Sequence, residues 1–363
     1  MSVFLTILIS AIALLITFYA LHRVTDIYFV ESLEVISHRL RMTSDIAGAT
    51  LMAMGSSAPE LFTSLLALVK GIEHANLGAG TIVGSAIFNI LVIVGASVMM
   101  RPTVLTWQPV VRDMSFYILS ILLLYWAFQD GFITFEESIF FIVFYVVYLI
   151  SLPLWRRFFP YEDQATDASP MIKEQERATH ERHPLLFMLL SPVDWIIARL
   201  IPSVEKHPRL FLVTFGMSIV VIVLLSWVLV EAGVALATAL GVPGVIIGLT
   251  VLAVGTSVPD MMASMIVARQ GKGDMAVSNA VGSNIFDILI GLGLVWMIMI
   301  QVLGQPIPIS TVNLNSSLVL LLATVSALLV VLILQRWAIG RKSGLLLIGV
   351  YLLYLVSTIA GWI

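Results

Sequence analysis

The sequence predicts an all-α polytopic membrane protein, with about ten transmembrane helices arranged as two inverted-topology repeats of five helices each. Three observations predict this: the apolar composition, the one-sided distribution of basic residues, and a pair of motifs that recurs in the second half of the chain.

Of 363 residues, 60% are hydrophobic and only 11% are charged, and the mean hydropathy is +1.04. Soluble domains carry about 25% charged residues, so most of this surface faces something other than water. A hydrocarbon core about 30 Å thick needs about 20 apolar residues per helix. Apolar runs broken by charges, Pro and Gly place helices near 2–22, 42–70, 75–100, 113–130, 135–155, 210–231, 237–268, 274–303, 314–335 and 343–362. The first run lacks the positive flank and small-residue cleavage site of a signal peptide, and is expected to be a retained membrane helix.

With the N-terminus outside, every odd-numbered connection faces the cytoplasm. Of the 19 Lys and Arg residues, only Lys70 then falls on the outer side. The positive-inside rule makes the basic side cytoplasmic. The parity supports the helix count too, because one missed helix would scramble the sides. The expected location is a cell membrane, with both termini outside.

Residues 156–208 differ from the rest. They are rich in charge and divide the chain into a first half, 1–155, and a second half, 209–363. The expectation is a solvated cytoplasmic linker, with 185–200 as an interfacial helix. His180 and His183 form a bare HxxH without further ligands. The net charge of −3 argues against a nucleic-acid partner. The chain has no cysteine, which excludes disulfides, thiolate metal sites and thiol nucleophiles.

The internal repeat carries the functional signal. Gly55-Ser56-Ser57-Ala58-Pro59-Glu60 recurs as Gly255-Thr256-Ser257-Val258-Pro259-Asp260. Gly84-Ser85-Ala86-Ile87-Phe88-Asn89-Ile90-Leu91 recurs as Gly282-Ser283-Asn284-Ile285-Phe286-Asp287-Ile288-Leu289. Order and spacing are both kept. Five helices per half make the two copies run in opposite directions through the bilayer. That is the build of many secondary transporters, whose ion site lies where the repeats meet.

Glu60, Asp260 and Asp287 sit in apolar stretches whose only Lys or Arg is Lys70, at a helix end. A carboxylate at the bilayer centre costs roughly 2.5–3.5 kcal/mol on insertion scales, so each needs a partner, and a cation or a proton is the one available. Pro59 and Pro259 lack an N–H and obstruct the carbonyl four residues earlier, at Gly55 and Gly255. The resulting break exposes backbone oxygen beside an acid and hydroxyls, as is tolerated where backbone lines a cavity. Ca2+ takes six to eight oxygens at about 2.3–2.6 Å. Glu60 and Asp260 balance a divalent charge, while Ser56, Ser57, Ser85, Asn89, Thr256, Ser257 and Ser283 add neutral oxygens that suit Na+ as well. Asp287 adds a further charge that K+, Na+ or a proton would neutralise.

GSSAPELFTS and GTIVGSAIFNIL in the first half, with the run from Gly255 to Leu292 in the second, resemble the two alpha-repeats of the cation/Ca2+ exchanger superfamily. The nearest resemblance is to the potassium-dependent sodium/calcium exchangers. It implies a Ca2+ site at Glu60 and Asp260, with Na+ held by the neighbouring hydroxyls and Asn89. An Asp at the place of Asp287 goes with potassium dependence among animal members, although some prokaryotic relatives carry it without using potassium. The implied activity is secondary active exchange of Na+ for Ca2+ by alternating access, with K+ a further candidate cargo and no catalytic residues or cofactor. The partners expected are the lipid bilayer and inorganic cations. The linker is too short for a pair of sandwich domains of about 100 residues each.

The residues leave open H+- or Na+-coupled exchange of another divalent cation, Mg2+ or Mn2+. A channel would need a carbonyl filter repeated around an axis, and no such repeat is present. Gly271-Lys272-Gly273-Asp274 fits the GxGD pattern of intramembrane proteases, but no Tyr-Asp partner motif accompanies it, and an acid is favourable at a helix start in any protein.

Overall fold

A computed structural model describes residues 3–40, 53–160, 184–269 and 273–360. The start of the second expected helix, His180, His183, Gly271 and Lys272 lie outside the described residues.

The first half begins with α1 (Val3–Val24), which passes through a π-helical turn, Thr25–Val30, into α2 (Glu31–Arg39). It continues with α3 (Ala53–Ser56), α4 (Ala58–Lys70), α5 (Ala75–Phe88), a π-turn at Asn89–Ile93, α6 (Val94–Met100), β1 (Thr103–Val104), α7 (Trp107–Ala127), β2 (Phe132–Ile133) and α8 (Phe135–Phe158). In the linker, α9 spans Pro184–Leu200. The second half holds α10 (Phe211–Leu240), α11 (Gly244–Ile247), a π-turn at Gly248–Leu252, α12 (Ala253–Thr256), α13 (Val258–Arg269) and α14 (Gly273–Phe286). A π-turn at Asp287–Leu292, α15 (Gly293–Leu303), β3 (Ile307–Pro308), α16 (Thr311–Leu334), β4 (Ala338–Ile339) and α17 (Arg341–Ile359) complete it. Among the described residues, 8 helical runs are long and apolar enough to cross a membrane. The two motif segments, where the sequence places the remaining crossings, are each broken into shorter helices among the described residues.

Several helices run past the ends expected from charge alone, and in each case the charge is paired. The first continues beyond residue 22 because Arg23 bonds Asp194 of α9 at 2.9 Å, with Tyr19 donating to the same carboxylate at 2.8 Å. The fourth starts at Trp107 rather than 113 because Arg112 and Asp113 pair with each other at 2.7 Å, and Tyr148 donates to Asp113 at 3.2 Å. The sixth extends past 231 because Glu231 pairs with Lys70. It ends where Gly241 takes φ +68°, a conformation glycine adopts without steric penalty. A capping box between Thr134 and Glu137 fixes the start of α8.

The all-helical expectation misses two short antiparallel pairs. Thr103 pairs with Ile339 and Val104 with Ala338, while Phe132 pairs with Pro308 and Ile133 with Ile307. Each joins a loop of the first half to a loop of the second. Inverted halves bring these loops to a common side, and pairing satisfies backbone groups that extended loop residues would otherwise present unpaired.

Apolar residues pack into two groups. The larger lies among α5 to α8 and α14 to α17, including Ile87, Tyr117, Phe141, Ile285 and Trp296. The smaller joins α1, α9 and α10 with parts of α4, including Leu21, Ala67, Ile197 and Leu229. Outward residues such as Leu15, Ile150, Leu224 and Leu353 are exposed on long helices, a surface that fits lipid better than water.

Candidate ion-binding site

The two motif segments share one backbone device. Ser57 has φ −91°, ψ 3° and Ser257 has φ −86°, ψ 2°. Each stops one short helix and starts another. The new helices begin with Leu61 N–H donating to Ser57 O and Met261 N–H to Ser257 O, both at 3.0 Å. Pro59 falls in the first turn of α4, where a missing N–H costs no helical bond. Glu60 and Asp260 therefore occupy first turns, where the helix dipole favours negative charge. Both are 1% exposed.

The second motif block shows a matching device. A π-turn begins at Asn89 in the first half and at Asp287 in the second, the two positions aligned by the repeat. Such widenings often occur at functional sites.

Close crossing of the halves brings these segments together. A Cβ on Gly84 would overlap the carbonyl of Leu249, and one on Gly248 would lie 2.5 Å from the carbonyl of Leu77. Only glycine lets the backbones approach this closely.

The side chains then meet across the repeat interface. Ser257 Oγ donates to Glu60 Oε1 at 3.3 Å, and Ser85 Oγ lies 3.5 Å from the same oxygen and 2.7 Å from Ser257 Oγ. Asn89 Nδ2 reaches Ser283 Oγ at 3.4 Å and Asn284 Oδ1 at 2.8 Å. Glu60 and Asp260 both lie within electrostatic range of Asp287. Thr256 spends its proton on the carbonyl of Leu252 at 3.0 Å, which leaves oxygen lone pairs available. Ser57, Ser85, Asn89, Thr256, Ser257, Ser283 and Asp287 are buried, while Ser56 is half-buried at the end of α3.

The centre holds more acceptors than donors. Glu60 Oε2, Asn89 Oδ1 and both carboxyl oxygens of Asp287 are buried without a hydrogen-bond partner. Neither Glu60 nor Asp287 has an ion pair among the described residues. Buried acceptors of this kind need a proton or a cation. Among the described residues no three His, Cys, Asp or Glu side chains converge as a metal cluster. The hydroxyls and the amide must therefore complete any coordination shell, as suits a hard cation.

Two residues escaped the sequence reading. Asn284 and Tyr117 are both fully buried, and Asn284 Nδ2 donates to Tyr117 Oη at 2.9 Å. Asn284 had a visible signal, since the aligned residue in the first copy is the apolar Ala86. Tyr117 had none, because α7 is far from both motifs in sequence.

The chain is 30% identical to sodium/potassium/calcium exchanger 4 of Homo sapiens, over 97% of the chain and 81% of that protein. It is 27% identical to sodium/potassium/calcium exchanger 2 of Gallus gallus, over 97% of the chain and 77% of that protein. Its fold resembles the sodium-calcium exchanger NCX_Mj soaked with Na+ and Sr2+, with a TM-score of 0.60 and 22% identity, covering 97% of this chain and 99% of that one. A model of the sodium/calcium exchanger protein family matches residues 10–152 and 210–360. The chain belongs to the sodium/calcium exchanger protein family.

Proposed function

We propose that the protein is a secondary active antiporter that exchanges Na+ for Ca2+ by alternating access. The observation that carries the reading is the contact between Ser257 of one repeat and Glu60 of the other. Acid and hydroxyl oxygens from both halves line one buried centre, so relative movement of the halves changes the ion's surroundings. Glu60 and Asp260 together carry the charge that balances one Ca2+. The hydroxyl and amide oxygens of Ser56, Ser57, Ser85, Asn89, Thr256, Ser257 and Ser283 would complete the Ca2+ shell and serve Na+ in its turn. In this reading the linker is cytoplasmic, both termini are outside, and no catalytic chemistry is involved.

Reconstitution tests it. Proteoliposomes loaded with Na+ and diluted into Na+-free medium should accumulate radioactive Ca2+, and collapse of the Na+ gradient should stop uptake. Uptake driven by a pH gradient alone, or blocked by excess Mg2+ or Mn2+ that is itself carried, would favour exchange of another divalent ion. Flux that ignores every counter-gradient would sink the antiport reading.

A second reading concerns Asp287, whose two carboxyl oxygens have no hydrogen-bond partner. K+ is the proposed occupant, because the chain is similar to proteins named sodium/potassium/calcium exchangers, and a proton is the alternative.

A further inference from the structure

We propose that Asn284, backed by Tyr117, is a positioning residue that fixes the amide of Asn89 so that its nitrogen is spent on protein and its carbonyl oxygen is offered to the ion. The inference rests on the antiport reading above, because it concerns how one oxygen of that site is oriented.

An asparagine side chain is nearly symmetrical in shape but not in polarity: one end donates and the other accepts. Which end of Asn89 faces the site decides whether the residue binds or repels a cation. The polarity traces back to a group that cannot be reversed, the carbonyl of Ala86. Tyr117 donates its one hydroxyl proton to that carbonyl at 3.4 Å. With the proton so committed, the phenol oxygen can meet Asn284 only as an acceptor. Asn284 accordingly presents Nδ2, which lies 2.9 Å from Tyr117 Oη and 3.2 Å from Ala86 O. Its Oδ1 is thereby turned toward Asn89 and accepts from Asn89 Nδ2 at 2.8 Å. Asn89 Nδ2 also reaches Ser283 Oγ at 3.4 Å. The carbonyl oxygen of Asn89 remains, buried and without a hydrogen-bond partner.

Turning Asn284 over would set its oxygen against the carbonyl of Ala86, with no proton between two acceptors, and would face Asn89 with a second nitrogen. Asn89, Tyr117 and Asn284 are each 0% exposed, and buried polar groups left unsatisfied are costly. The chain of bonds thus has one favourable sense.

The repeat explains why this device occurs once. Asn284 aligns with Ala86, and Asn89 aligns with Asp287. A carboxylate has two acceptor oxygens and needs no polarity lock. The half that supplies an amide to the site is faced by an orienting amide. At the aligned place in the first repeat stands alanine.

The test is a double-mutant cycle read by binding rather than transport. Purified protein in detergent is titrated with Ca2+, and separately with Na+, following ligand-dependent thermal stabilisation. Asn284→Ala installs the residue that the first repeat carries at this place. It should weaken Ca2+ binding about tenfold, as loss of a group that orients a metal ligand does. Tyr117→Phe should act in the same direction but less, because the Ala86 carbonyl still orients Asn284. In an Asn89→Ala background neither change should weaken binding further, since the oriented oxygen is already gone. Equal losses in both backgrounds would mean that Asn284 and Tyr117 only support packing, and would overturn the proposal. Undiminished binding in Asn284→Ala would do the same. Should Asn284→Ala fail to fold, Tyr117→Phe, which removes a single oxygen, decides the question in the same two backgrounds. A wild-type protein that binds neither ion would overturn the antiport reading and this inference together, whereas normal wild-type binding without coupling overturns this inference alone.

Discussion

Ser257, from the second repeat, donates its hydroxyl to Oε1 of Glu60, in the first, at 3.3 Å across 197 positions of sequence. The two residues sit one at each helix break: Ser257 stops α12, and Glu60 lies in the first turn after the matching break at Ser57. The acids of the repeats thus do not form two separate sites. Each break contributes to a shared centre.

That centre makes a direct prediction for its two motif acids. Glu60→Gln and Asp260→Asn keep side-chain volume but remove the charge that, in the proposed function, balances a divalent ion. Either change should abolish Na+-gradient-driven Ca2+ uptake in proteoliposomes while the protein still inserts and remains monodisperse. Ser257→Ala keeps the charge and removes one hydroxyl, so a smaller loss is expected, about tenfold in apparent Ca2+ affinity. Wild-type uptake in either acid variant would remove these residues from the site.

Asp287 should separate K+ from the proton as its partner. If K+ binds there, replacing K+ by choline should slow Ca2+ flux in the wild type, and Asp287→Asn should exchange at a rate indifferent to K+. Equal wild-type flux in K+ and in choline would discard the K+ role and leave a proton on the carboxyl. The assignment of Glu60 and Asp260 does not depend on this result.

Close packing at the repeat crossing should be intolerant of added bulk. A Cβ at residue 248 would stand 2.5 Å from Leu77 O and 3.0 Å from Thr81 N, both backbone atoms that cannot swing away. Gly248→Ala should cost about 1–3 kcal/mol and lower the melting temperature measured in detergent. Gly216→Ala is the control: nothing lies within 4 Å of a Cβ built there, and in a helix the change should be neutral or slightly stabilising. Equal melting temperatures for the two variants would contradict the crossing geometry.

The two strand pairs predict cross-links and, with labelling, the orientation. Antiparallel partners have Cα atoms about 4.5–5.5 Å apart, within disulfide range. The chain has no native cysteine, so Thr103→Cys with Ile339→Cys, and Phe132→Cys with Pro308→Cys, should each oxidise to an intramolecular disulfide. Failure of both pairs would refute the register. For orientation, Ser310→Cys should react with an impermeant maleimide added to intact cells and Ser169→Cys should not. The reverse pattern would invert the topology.

Much of this protein is legible in sequence because the bilayer imposes a local rule. A helix that crosses lipid must satisfy its backbone within itself and cover itself with apolar side chains, so spans, basic flanks and the acids of Glu60, Asp260 and Asp287 stand out one residue at a time. The motif repeat, the break ahead of Glu60 and Asp260, and the parity that inverts the halves follow from the same local reading. What local pattern misread were the ends at Arg23, Arg112 and Glu231, since each charge is neutralised by a partner and does not end its helix. Arg23 finds Asp194 at a separation of 171 residues, and no window of sequence contains both. Tertiary structure alone decided those pairings, the loop-to-loop strands, the contact of Ser257 with Glu60 and the bonds of Asn284 to Asn89 and Tyr117. All depend on which backbones approach across the repeat interface, and that is set by the packing of the two halves together.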